Sequence, residues 1–97
     1  MTFNSTARVP TAKASRYLQQ LCKHWSHKFS VSFDERQGKV PFSEDAALVL
    51  SANGDVLSLR LEAPVDRIPT LEEVVADHLK RFAFREDDLR IDWQPIG

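Results

Sequence analysis

Cysteine is nearly absent: Cys22 is the single one, so no disulfide can form within the chain. Glycine is scarce too, at three residues, which leaves no glycine-rich loop to cradle a phosphate. No serine sits in a nucleophile-elbow setting. No apolar run is long enough for a membrane span, and the opening MTFNSTARVP does not read as a signal peptide. With one thiol and no export signal, the expected compartment is the cytoplasm. Acidic residues are missing from the first 33 positions; all 14 lie at or after Asp34. That first segment carries Arg8, Lys13, Arg16, Lys23 and Lys28, so the two parts sum to +5 and −6. The whole chain nets −1, which announces neither a nucleic-acid nor a membrane partner. The plain reading is that the two parts neutralise each other on folding; the sharper one is an anion-binding face on the first segment.

What remains is the balance of a globular protein, 42% hydrophobic and 28% charged. A chain of 97 residues makes one domain over 1–97. Folding buries roughly 60–65% of its unfolded surface, enough for one core and little space for a deep pocket.

Periodicity sets the elements. Phe3, Ser5, Ala7 and Val9 alternate with polar neighbours, as a half-buried strand does, until Pro10 removes a donor. Thr11 is placed to cap a helix from about Ala12 to His27, whose buried stripe is Ala14, Tyr17, Leu18, Leu21 and Trp25. Phe29, Val31 and Phe33 alternate as a strand, and a short strand follows around Val40 and Phe42. Asn53-Gly54 between two alternating runs, Ala46–Leu50 and Leu57–Leu61, predicts a tight hairpin. Thr70 and Glu73 read as a capping box opening a second helix, with Leu71, Val74, Val75, Leu79 and Phe82 on its apolar face. Glu86, Asp87 and Asp88 read as an acidic turn before a last strand at Leu89, Ile91 and Trp93. The order β-α-β-β-β-β-α-β, with one-sided helices, predicts an α+β fold. It is a single mostly antiparallel sheet with both helices on one face. The other face would carry Ser30, Ser32, Ser58, Arg60, Glu62, Arg90 and Asp92.

Chemistry concentrates in three places. Cys22-Lys23-His24-Trp25-Ser26-His27 invites a metal reading, but helical spacing sets Cys22 and His24 roughly 160° apart. His24 and His27 share a side, yet two imidazoles need further ligands, so no metal site is assigned. His78 falls inside the apolar stripe of the second helix and is predicted to be largely buried with a ring nitrogen bonded. Lys13, Arg16, Gln20, Lys23 and His27, with His24 at the edge, repeat at spacings of three and four. That stripe can hold anionic oxygens by charge-assisted hydrogen bonds; otherwise it is a solvated helix face. Glu72, Glu73 and Asp77 read as helix-surface acids near the dipole, not a catalytic pair.

Two blocks carry a resemblance: Ser15–Trp25, SRYLQQLCKHW, and Val74–Glu86, VVADHLKRFAFRE, followed by Ile91-Asp92-Trp93. Together they resemble a bacterial family known as domain of unknown function 2218, across nearly the whole chain. The family has no assigned activity. The resemblance implies a context beside flavin-dependent siderophore-interacting proteins, whose ferric ligands are often anionic. The leading reading is therefore an accessory binding domain, not an enzyme, for an anionic small ligand or for a siderophore-interacting partner. A metal-dependent or acid–base enzyme using His24, His27 or His78 is the alternative, and a homodimeric interaction protein the third. No cofactor is specified.

Overall fold

The structure, a computed structural model, describes residues 2–84 and 89–95; the acidic turn Glu86–Asp88 lies outside them. The elements are β1 (Thr2–Pro10), α1 (Ala14–Trp25), β2 (Ser32–Phe33), β3 (Gln37–Ser43), β4 (Ala46–Asn53), β5 (Val56–Pro64), α2 (Ile68–Phe82) and β6 (Gln94–Pro95). They form one six-stranded sheet in the order β2-β3-β4-β5-β1-β6, with every pair antiparallel. The α+β expectation and its element order hold.

Alternation dictates which side of the sheet is dry. Ala7 and Val9 of β1, Leu48 and Leu50 of β4, and Leu57, Leu59 and Leu61 of β5 are all buried. Their registers, Ala7↔Leu59 and Leu50↔Leu59, put them on the same face. Onto it α1 brings Ala14, Tyr17, Leu18, Leu21, Cys22 and Trp25, and α2 brings Leu71, Val75 and Leu79. Each fully buried leucine contributes about 1.5–3 kcal/mol of transfer free energy. The other face keeps Arg8 opposite Ser58, Thr6 opposite Arg60 and Asn4 opposite Glu62 across β1 and β5.

Packing between α1 and β3 requires one glycine. A β-carbon on Gly38 would come within 2.5 Å of Cys22 Sγ and 3.2 Å of Phe33 Cβ. The helix therefore comes close to the strand at Gly38, where no side chain intervenes.

Four local expectations shift. The hairpin after β4 pairs Asn53 with Val56, so its loop is Gly54-Asp55 and not Asn53-Gly54. Among the described residues Gly54 alone takes positive φ, at +63°, as the first-position glycine of a II′-type turn does. Helix α1 starts at Ala14, later than Ala12; Thr11 Oγ1 still accepts a backbone hydrogen bond from Lys13 N–H at 3.1 Å, closing a turn ahead of the helix. Helix α2 starts at Ile68, so Thr70 lies inside it and makes no capping box, and Glu72 and Glu73 fall beyond the first turn. Pro69 explains this: its fixed φ and missing N–H suit the first helical turn. Glu72 instead accepts a hydrogen bond from the buried Ser5 hydroxyl, tying α2 to β1.

The two weakest strands shrink to two residues each. Val31 N–H bonds back to Phe29 C=O at 2.9 Å, a tight turn that leaves only Ser32–Phe33 to pair with β3. Phe33 ends 41% exposed. At the other edge, Leu89, Ile91 and Trp93 pack partly buried against the core, but only Gln94–Pro95 joins β1. Period-two burial survives there without a hydrogen-bonded ladder.

Candidate functional site

The end of α1 is shaped by its own carbonyls. Trp25 C=O accepts both Lys28 N–H and Phe29 N–H at 2.9 Å, so the chain curls tightly past the helix. This sets His27, Lys28 and Phe29 beside His24. Opposite lies the start of α2, with Arg67 as its cap and Leu71, Val74 and His78 on successive turns. From the sheet, Phe42 enters where the β3–β4 register slips between Pro41 and Ser43. These residues and Trp25 enclose a cleft of about 380 Å³.

Aromatic rings form its frame. Trp25 meets Phe42 edge-on, centroids 5.3 Å apart at 89°, and Phe42 meets Phe29 at 5.3 Å and 86°. His78 lies 5.2 Å from Trp25 and 5.1 Å from His24. Its Nδ1 is 2.8 Å from Val74 C=O, so that nitrogen carries the proton and donates, leaving the Nε2 lone pair available. The expected bonded ring nitrogen is present. The expected deep burial is not: His78 is half-buried, because its ring borders the cleft.

Charge in the cleft has one sign. Lys28 and Arg67 line it beside three histidines, and no carboxylate does so among the described residues. Arg67 Nη1 also reaches Asp45 Oδ1 at 3.2 Å and Ser43 Oγ at 3.0 Å, which fixes the guanidinium. Partial desolvation lowers the His24 pKa below its ordinary 6.5, and the nearby positive charges of His78, His27, Arg81 and Lys28 add to the effect. Among the described residues, no group of three or more His, Cys, Asp or Glu side chains is arranged to hold a metal ion. A larger depression of about 470 Å³ over β2 and β3 is shallow, lined by Ser32, Phe33 and the opposed charges Asp34 and Lys39. It offers neither an aromatic frame nor a charge of one sign.

A family model described as "Uncharacterized protein conserved in bacteria (DUF2218)" matches residues 6–94. The chain belongs to this family. The resemblance carried by the two helical blocks is thereby borne out. The NMR structure of PA4090 from Pseudomonas aeruginosa is similar at 41% sequence identity, covering 95% of each chain with a TM-score of 0.78. Comparison with curated proteins gives no match.

In this family member the basic stripe of α1 divides. Lys13, Arg16 and Gln20 border a separate cavity of about 240 Å³ with Tyr17, Phe82 and Phe84. There Gln20 Oε1 is buried with no hydrogen-bond partner among the described residues. Lys23 is exposed and lines neither cavity, while His24 and His27 belong to the cleft. His24 and His27, which share a side by their helical spacing, meet His78 of α2 in that cleft. Cys22 does not reach it: the thiol is buried against β3, and burial pushes its pKa up to about 11. Lys28, Phe29, Phe42 and Arg67 went unremarked as site residues because they come from a turn, a strand and a loop. No shared periodicity links them. No helix among the described residues is long and apolar enough to cross a membrane.

Proposed function

We propose that the cleft between the end of α1 and the start of α2 binds a small anion with a planar aromatic body. The observation that supports this reading is its lining: Trp25, Phe29 and Phe42 on one side, His24, His27, Lys28 and Arg67 around them, and no carboxylate among the described residues. Aromatic walls bury a flat ring, and a cationic rim pairs its carboxylate or catecholate oxygens. The volume, about 380 Å³, suits a single aromatic acid and not a bulky multi-armed chelate. A catecholate arm of a siderophore belongs to this ligand class, which narrows the context implied by the family resemblance to one ring at a time. The domain then serves as a binding module, alone or beside a partner that handles such acids.

The test is thermal unfolding and Trp25 fluorescence with salicylate and 2,3-dihydroxybenzoate, against acetate and phenol. A ligand at about 100 times its dissociation constant adds about 2.7 kcal/mol of stability. Stabilisation by the aromatic acids, reduced in Lys28→Ala and Arg67→Ala, is expected. No shift with either acid, or an equal shift with acetate, overturns the reading.

A further inference from the structure

We propose that His24 and His78 together complete the coordination sphere of a divalent transition-metal ion presented to the cleft as an anionic chelate. This deepens the anion-binding reading by naming what the two imidazoles add to it. Two imidazoles sharing one ion, each at a metal–nitrogen distance of about 2.0–2.1 Å, have centroids about 4.5–5.3 Å apart for cis or tetrahedral angles. The His24 and His78 rings stand 5.1 Å apart, tilted by 50°, and come from different helices. His78 is held as metal-ligating histidines commonly are: Nδ1–H donates to Val74 C=O at 2.8 Å, which fixes the ring and leaves Nε2 as the nitrogen outside that bond.

Two protein ligands leave the remaining positions to be filled from outside, and the cleft has room for them. Lys28 and Arg67 oppose a bare cation and favour a complex whose net charge is negative. Imidazole donors suit Zn²⁺, Ni²⁺ and Cu²⁺ better than the hard ions Mg²⁺ and Ca²⁺. No bond to carbon is made or broken; the imidazoles replace two waters of the incoming complex.

The probe is Ni²⁺–nitrilotriacetate, a negatively charged chelate with two adjacent exchangeable waters and no aromatic ring, titrated into tag-free protein. Binding is expected to quench Trp25, and His24→Ala and His78→Ala are each expected to weaken it more than about tenfold. His27→Ala should leave it nearly unchanged. Equal binding of metal-free nitrilotriacetate overturns the metal role while leaving the anion cleft standing. Failure of the nickel chelate to bind overturns it too, as does loss in His27→Ala with His78→Ala unaffected. Electron paramagnetic resonance of the Cu²⁺–iminodiacetate complex gives an independent reading, since two coordinated imidazole nitrogens are expected and none would refute the site. Because the probes lack an aromatic ring, their binding is separable from that of salicylate.

Discussion

Cys22 stands directly over Gly38, its sulfur 2.5 Å from where a β-carbon on that glycine would be. The contact couples the last turn of α1 to the strand that also carries Phe42 into the cleft, so the site depends on how closely helix and strand approach.

Replacing Gly38 by alanine forces the sulfur, the helix or the strand to move. Overpacking of this kind costs about 1–3 kcal/mol, to be read as a lower urea midpoint. Adding Cys22→Ala to Gly38→Ala should recover part of that loss, and a strictly additive double mutant would show that the two residues do not compete for space.

Burial of the Cys22 thiol sets a pH dependence at the alkaline end. Its pKa is about 11 in the native protein against an ordinary 9.0. The unfolded chain therefore loses this proton first, and native stability falls as pH rises from about 9 to 11. Denaturation at stepped pH should show wild-type protein losing more stability over that window than Cys22→Ala. The native thiol should also resist a disulfide reagent at pH 8, where the unfolded chain reacts.

His24 acts at the acid end. Its pKa is lowered, first by desolvation and then by His78, His27, Arg81 and Lys28, so protonation favours the unfolded chain. Stability is retained above 6.5 and lost as pH falls below it through the lowered value. A proton NMR titration should find the His24 ring titrating below 6.5, and Arg81→Ala or His78→Ala should raise its midpoint. Salicylate in the cleft should raise it as well.

The hairpin offers a direct contrast. Gly54 holds φ at +63° with open space around its would-be β-carbon, whereas Asn53 has no positive φ. Gly54→Ala is expected to cost about 1 kcal/mol or more from backbone strain alone, and Asn53→Ala a few tenths. Thermal melts of the two variants decide which residue bears the turn.

The sequence disclosed what periodicity can record. Leu18, Leu21, Leu71, Val75 and Leu79 read as buried because a helix exposes one side, and they are buried. Leu57, Leu59 and Leu61 read the same way at period two. Periodicity reports which way a side chain faces, not whether its backbone is paired: of Phe29–Phe33 only Ser32–Phe33 pairs, and Leu89–Trp93 alternates without pairing while Gln94–Pro95 joins β1. Thr70 and Glu73 have the spacing of a cap, yet α2 starts at Ile68, because Pro69 suits the first helical turn. The cleft was legible only in fragments. His24 and His27 stood out by spacing and His78 by its apolar neighbours, but their meeting depends on how α1 packs against α2. Phe42 and Arg67 carried no local signal at all.

The sheet ends in two-residue strands on both sides, β2 and β6, and one residue of β6 is Pro95, which has no backbone donor. β6 pairs only with Ser5 and Thr6 of the nine-residue β1, and β2 only with Gly38 and Lys39 of β3, so each margin is a short strand laid over part of a longer one. The consequence is colloidal: at high concentration, strand-by-strand stacking between copies is limited by how much of β1 and β3 these short strands cover, because net charge, at −1, gives little mutual repulsion.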